Sequence, residues 1–368
     1  NILKSITSKF IFYFHNDPLS MRGSKTINER LFILENVEGL VKHDLGNKNH
    51  KIGRTLSTIL HTLENELGYN VTWKVFDSLE FGLPQSRKRV FIVGTKDDYV
   101  NLDGNKPKYA TLDSILEKGL KTLNSKFVNL LLSHFEVVDL YGKSIKDKRG
   151  GSNNIHSWDI GIKGKVSNDQ CQLLNKLFKE RRKKQWAAEI GIDWMDGMPL
   201  TLEQISTFID KPKDKLKEML DDLVLKKYLK FEHPKKLIKE ETDNGIKTYR
   251  DYDKLKPKGY NIVTGKLSFE INKILDPNDI APTLVATDVS RLAVPDGNGL
   301  RRLTIREGLR LFGYPEWYNI PTKEYNAFDL LGNTVAIPVV EFVALRIADV
   351  MSNSNSYFTS NETPVCAS

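Results

Sequence analysis

Four side chains in the first hundred residues have types and spacing that could do chemistry: Glu35, Gln85, Arg87 and Arg89. In the stretch RLFILENVEGL, Arg30 to Leu40, an apolar run ends on Glu35 and Asn36. In a doubly wound α/β sheet ligands sit at the carboxyl ends of the strands, and Glu35 lies where its strand ends. Downstream, in FGLPQSRKRVFIVG, Gln85, Arg87 and Arg89 alternate along an extended segment that leads into a second apolar run. Alternation in an extended chain turns all three toward one face. That face offers one amide and two guanidinium forks, which suit phosphate oxygens or a base carbonyl because guanidinium donates paired hydrogen bonds that lysine cannot. A solvated basic edge is the plainer reading of this segment alone; Glu35 tilts the balance toward a site.

Elements must exist to hold these groups. Leu31 to Leu34 form an unbroken apolar run between polar residues, which predicts a buried strand of a parallel sheet covered on both faces. GRTLSTILHTLENELGY follows, with Leu56, Ile59, Leu60, Leu63 and Leu67 at helical spacing and Gly68 placed to end the helix. The segments NVTWKVFDS and RVFIVG predict two more strands. The resulting β-α-β-β order fits part of a doubly wound sheet.

Composition bounds the class. With 368 residues, 40% hydrophobic and 10% aromatic, the chain is long enough for about two globular domains. No apolar stretch has the roughly 18 residues of a membrane helix, and no signal peptide is evident. A net charge of +8 and a pI near 9.1 favour a polyanionic partner, although a solvated lysine-rich surface has the same arithmetic. The two cysteines, Cys171 and Cys366, build neither a disulfide framework nor a zinc cluster, and the scattered histidines lack metal-ligand spacing. An intracellular protein without a metal is expected.

The same residues resemble the DNA cytosine-5 methyltransferases. ENV at Glu35 to Val37 and PQSRKRVFIVG at Pro84 to Gly94 are similar to that family's Glu-Asn-Val and Gln-x-Arg-x-Arg motifs. RRLTIREGLRLFGYPEWY, Arg301 to Tyr318, resembles its Thr-x-Arg-Glu helix with a Gly-aromatic-Pro turn, and LLGNTVAIPVV, Leu330 to Val340, resembles its Gly-Asn-Ser/Thr-Val-x-x-Pro helix. Four motifs in order, around a long variable insert, carry far more weight than any one.

The resemblance implies a fold and a reaction. The fold is a partial doubly wound, Rossmann-like methyltransferase domain with a large inserted α+β target-recognition domain. The reaction moves a methyl group from S-adenosylmethionine to C5 of a cytosine flipped out of duplex DNA, in a restriction-modification system of the bacterial cytoplasm. It places Glu35 at the N3 edge of the base and Arg87 or Arg89 at O2, with Asn36 bracing the Glu35 turn. Gln85 is expected toward DNA. Thr304 caps a helix through Phe312, with Glu307 completing a capping box, and Arg306 and Arg310 share a face that approaches DNA phosphate. Asn333 and Val335 would line the S-adenosylmethionine pocket. The expected domains are 1–107, 108–275 for target recognition, 276–351 returning to the catalytic domain, and a disordered polar tail at 352–368.

Within the insert, LTLEQISTFIDKPKDKLKEMLDDLVLKKYLKFEHP reads as two helices and a strand, the first helix capped by Thr201. Over 199–234 this order resembles a winged helix-turn-helix; a packing insert without DNA contact fits equally well. KRGGSNNIHSWD offers Arg149, Asn153, Asn154 and His156, of which arginine and asparagine carry the edges that read guanine and adenine, although a plain surface loop is the commoner fate of such a stretch.

Two family features are missing ahead of Glu35. That segment holds one glycine, Gly23, and no cysteine, where the family has a glycine-rich cofactor turn and a Pro-Cys nucleophile. The faint likeness of DPLSMRG to the segment after that nucleophile does not supply them. A truncated enzyme, or the C-terminal part of a split one with a separate N-terminal subunit, is therefore expected. A decayed methyltransferase acting as a non-catalytic DNA-binding protein is the alternative.

Overall fold

A computed structural model describes residues 11–12, 30–46, 50–147, 153–242, 245–263, 269–284, 289–322 and 324–359. In chain order the elements are β1 (Ile11–Phe12), β2 (Leu31–Val37), α1 (Arg54–His61), β3 (Asn70–Asp77), β4 (Lys88–Thr95), α2 (Lys126–Leu132), β5 (Ser144–Ile145), β6 (Asn154–Ile155), α3 (Asn168–Glu180) and α4 (Lys184–Glu189). They continue with α5 (Leu202–Ser206), α6 (Lys213–Leu225), β7 (Leu229–Glu232), β8 (Lys235–Thr242), β9 (Gly245–Tyr252), β10 (Gly259–Ile262), β11 (Lys273–Ile274), β12 (Leu292–Asp296), β13 (Gly299–Arg301), α7 (Ile305–Leu311), α8 (Glu324–Gly332) and α9 (Ile337–Thr359). The chain divides into two compact units, one of residues 1–118, 276–290 and 303–368 and one of 119–275 and 291–302.

The first unit is built on a sheet of order β1-β2-β4-β3, with both faces covered. Phe32, Val71, Val90 and Ile92 pack under α1 and the turn that follows it through Leu56, Ile59 and Leu63. On the opposite face Leu31, Ile33, Phe91 and Val93 pack under α9 and its lead-in through Ala336, Val339, Val343 and Ile347. Helices on both faces explain the unbroken apolar runs. The sheet is not all parallel, however: β4 pairs antiparallel with both β2 and β3, so those two run the same way with a reversed strand between them. The link from β3 to β4 has no crossover helix, and only such a helix would bring the chain back parallel. Burial on both faces, not strand direction, writes the apolar run.

The first helix is also shorter than its periodicity. After His61 it widens into a π turn at Thr62–Glu66, and Gly68, at φ +65°, reverses the chain. Leu67 is left 44% exposed, outside the apolar stripe.

The second unit has two cores. One lies under the small sheet β13-β12-β11-β5-β6, where α2 contributes Val128 and Leu131 to a cluster with Ile145, Ile155, Ile271 and Ile274. The other gathers α3, α4, α5 and α6 around Trp158, Leu173, Leu177, Trp186, Leu216, Leu220 and Tyr228. Thr201 caps α5 and forms a capping box with Gln204. On α6 Leu216, Leu220 and Leu223 are buried, while Leu225, on the opposite side of the helix, is 80% exposed. The β7 and β10 strands pair antiparallel, Leu200 bridges to Tyr260, and β8 with β9 makes a separate two-stranded ribbon.

The unit boundaries differ from the sequence reading. Residues 108–118 belong to the first unit. Residues 291–302 belong to the second, because β12 pairs in parallel with β11 and carries β13 along. The last helix runs past Met351 to Thr359, whereas composition predicts a disordered tail from 352; residues 360–368, including Cys366, lie outside the described residues. The segment DPLSMRG and Gly23 lie outside them too.

Candidate active site

Glu35 is the last residue but two of β2, on the α9 side of the sheet. The register sets Glu35 opposite Phe91 and Val37 opposite Arg89. Arg89 therefore approaches Glu35 diagonally on the same face, within reach of a long side chain. Its Nε lies 2.9 Å from Glu35 Oε1, with the two side chains 17% and 11% exposed. Arg89 also donates from Nη1 to the Lys88 carbonyl. Burial pulls the Arg89 pKa below its ordinary value, opposed by the Glu35 charge. Asn36 turns its side-chain oxygen back to accept from the Val37 N–H, which holds the bend after Glu35.

The alternation of Gln85, Arg87 and Arg89 holds, but the face it defines turns inward. Gln85 is fully buried; its amide donates to the Leu311 carbonyl and accepts from the Leu284 N–H. Both ends are occupied, so the expectation that Gln85 meets DNA is corrected: it ties the strand entry to distant loops. Arg87 is 4% exposed and donates to the carbonyls of Leu284, Gly332 and Thr334, with its guanidinium over the Phe312 ring. Burial pushes its pKa down to about 10, with Arg89 adding to the effect. Between the two arginines weighed for the base, Arg87 is a clamp on the Gly332–Thr334 turn and Arg89 faces the carboxylate.

The C-terminal motifs build the wall opposite. Thr304 and Glu307 form the capping box of α7, and buried Glu307 also accepts from the Glu117 N–H at 2.8 Å. After α7, Gly313 stands at φ +77°, and a Cβ there would fall 2.5 Å from Pro338 Cδ; only glycine lets this turn meet the start of α9. The Ile337 N–H donates to the Phe312 carbonyl, and the Tyr314 and Thr334 hydroxyls pair at 2.9 Å. Arg310 takes Glu316 in a two-pronged ion pair at 2.8 and 2.9 Å, and Arg306 reaches Asn319 and the Pro315 carbonyl. Both arginines, expected toward DNA phosphate, thus hold the Gly-Tyr-Pro-Glu turn and keep part of their side chains exposed.

An opening remains between these parts, lined by Phe76, Arg87, Arg89, Phe91, Val335, Ala336 and Val339. It brings Val335 beside the arginines. Asn333 is exposed at the preceding turn, its amide nitrogen donating to the Asp329 carbonyl. Phe76 and Phe91 were not singled out from the sequence, although Phe91 follows Arg89 by two and so shares its face.

Candidates in the second unit fare differently. Arg149 lies outside the described residues. Asn153 is exposed, with its carbonyl accepting from the Ser144 N–H, and Asn154 is half-buried in β6. His156 is buried against Trp158 with Nδ1 on the Lys146 carbonyl, a packing role. Burial and the nearby Asp159 push the Cys171 thiol up to about 11, which disfavours its thiolate.

The fold is a Rossmann-like α/β sheet with helices on both faces and a carboxylate–guanidinium pair at a strand end. The family model described as C-5 cytosine-specific DNA methylase matches residues 21–349. Type II methyltransferase M.NlaIV of Neisseria lactamica is 56% identical over 316 residues, 86% of this chain and 72% of that protein. M.NgoBV of Neisseria gonorrhoeae is 55% identical over the same shares, and M.BanI of Aneurinibacillus aneurinilyticus 35% identical over 88% of this chain and 72% of its own. The chain belongs to the C-5 cytosine-specific DNA methylase family and is an enzyme, a DNA methyltransferase similar to type II restriction-modification enzymes. Among the described residues no helix is long and apolar enough to cross a membrane.

Proposed function

We propose that the first unit holds a cytosine, flipped out of duplex DNA, against Glu35 and Arg89 while its C5 is methylated. Cytosine C5 is a poor nucleophile until a thiolate adds at C6, and charge then builds on the ring. Glu35, at the N3 edge and carrying a proton on the carboxyl oxygen that does not face Arg89, donates to N3 a hydrogen bond that strengthens as the charge develops. Arg89 serves O2 through Nη2 while Nε stays on Glu35, so one guanidinium both orients the carboxylate and holds the base. Arg87 keeps the Gly332–Thr334 turn in place beside them. In this reading the thiolate and the glycine-rich cofactor turn come from sequence outside these 368 residues, on the same or a partner chain.

S-adenosylmethionine, when bound, supplies the electrophilic methyl group. The residues present fit one wall of its site: Val335 gives an apolar surface at the opening, and the exposed Asn333 amide uses only its nitrogen within the described chain, leaving its oxygen to accept from a hydroxyl or ammonium.

The observation that carries the reading is the 2.9 Å pair of Glu35 and Arg89 at the strand end, where Arg89 and Val335 line the same opening. Its test is Glu35→Gln in the intact methyltransferase. Methylation of duplex DNA should fall by about 10²–10³ while DNA affinity holds. Unchanged turnover would remove Glu35 from the mechanism.

A further inference from the structure

The second unit carries a ribbon that its own packing does not explain. Strands β8 and β9 pair along their whole length, from Lys235↔Tyr252 to Thr242↔Gly245, and every residue of β9 is exposed. A lone two-stranded hairpin is marginal in water, and this one keeps apolar surface uncovered: Ile246 is 68% and Tyr249 40% exposed.

Its charge is not evenly spread. Residues 226–258 contain eleven Lys or Arg against six Asp or Glu, so this segment holds five of the chain's eight net positive charges. Opposite residues of an antiparallel pair share a face. Lys235, Lys239 and Arg250 thus lie on one face with Glu241, whereas on the other Lys236 stands opposite Asp251 and Lys247 opposite Glu240. One face is basic and the other balanced. On the basic face Lys235 lies over the Tyr252 ring, and Arg250 donates to the Trp194 carbonyl, which anchors the base of the ribbon.

The neighbouring helix lacks that bias. The outward charges of α6 are Lys213, Lys215 and Lys217 against Asp214, Glu218 and Asp221, and Lys217 is itself paired with Asp221. Such a balanced face has little net attraction for phosphate.

We propose that the β8–β9 ribbon, and not the outer face of α6, is the second unit's contact with duplex DNA. Helices α5 and α6, strand β7, the ribbon and β10 then follow the order of a winged helix-turn-helix in which the wing does the binding. A two-stranded ribbon fits the roughly 12 Å major groove, and its basic face would meet phosphate oxygens along the groove wall. The proposal rests on the reading that the enzyme acts on duplex DNA.

Two matched double variants of the intact methyltransferase test it: Lys235→Gln with Lys239→Gln on the basic face, and Lys236→Gln with Lys247→Gln on the balanced face. Affinity for a duplex is followed by fluorescence anisotropy across a salt series. The first double should weaken binding on the order of 10-fold or more at about 0.1 M salt and flatten the log–log salt slope by about 2, roughly 0.9 for each phosphate that is no longer neutralised. The second should leave both unchanged. Equal weakening from both faces would reduce the effect to net charge and overturn the proposal, as would undiminished binding by the first. A shift from dimer to monomer on gel filtration with unchanged DNA affinity would overturn it too, and would assign the ribbon to a second copy of the chain. Glu35→Gln should cut turnover while sparing affinity and the salt slope, whereas the first double should lose affinity and flatten the slope, so the two readings fail separately.

Discussion

Glu35 and Arg89 meet at 2.9 Å although the sheet sets Val37, not Glu35, opposite Arg89. The diagonal matters because a directly opposed pair would point both side chains out along the same normal. The diagonal instead brings Nε onto the carboxylate while Nη1 donates to the Lys88 carbonyl. Arg89→Lys should therefore be a poor substitute: one ammonium can pair with Glu35 but cannot also present a second fixed donor. Single-turnover methylation should fall by roughly 10² for Arg89→Lys and further for Arg89→Ala, with little change in melting temperature. Wild-type rates for Arg89→Lys would show that only the charge is needed.

Arg87 should give the reverse pattern. Its guanidinium is buried and hydrogen-bonded to the carbonyls of Leu284, Gly332 and Thr334. Arg87→Ala strands those acceptors and opens a void against Phe312, costing about 3 kcal/mol. Urea unfolding of the intact enzyme reads that cost directly. An unchanged midpoint would mean that the turn holds without the clamp.

The contrast between these two arginines shows what the sequence could and could not tell. Alternation put Gln85, Arg87 and Arg89 on one face, and that is how they lie. Whether the face looks at solvent depends on partners some 200 positions away, Leu284 and Leu311, and no local pattern encodes them. The capping box of Thr304 and Glu307 was legible because both partners sit within one helical turn. The Arg310–Glu316 pair was not, since it forms only after Gly313 reverses the chain at φ +77°. Likewise the apolar runs showed burial on both faces of β2 and β4 but not their opposite directions, because side-chain burial is the same for either.

Glu307 offers a check on how the C-terminal motifs are held. One carboxylate oxygen accepts from the Glu117 N–H and the other from the Thr304 N–H, and the residue is fully buried. Glu307→Ala leaves two half-buried donors without this acceptor and should cost about 1–3 kcal/mol. Glu307→Gln keeps one acceptor oxygen and should recover part of that. If Gln and Ala were equally damaging in thermal melts, the cost would come from charge and not from the two hydrogen bonds.

The thiol of Cys171 gives a test by pH. Its pKa is pushed up to about 11 from an ordinary 9.0, chiefly by burial and then by Asp159. A group whose folded pKa is raised stabilises the fold fully below its unfolded value and loses that contribution as pH climbs through the folded one. Stability from this thiol is thus present below pH 9.0 and lost toward about pH 11. At about pH 8 the difference leaves roughly 100-fold less thiolate in the folded protein than in the unfolded chain, and alkylation needs thiolate. Iodoacetamide labelling of the Cys171 peptide, followed by mass spectrometry, should be slower in native protein than in urea by at least that factor. Native labelling as fast as the denatured rate would show an exposed, low-pKa thiol and reopen Cys171 as a reactive residue.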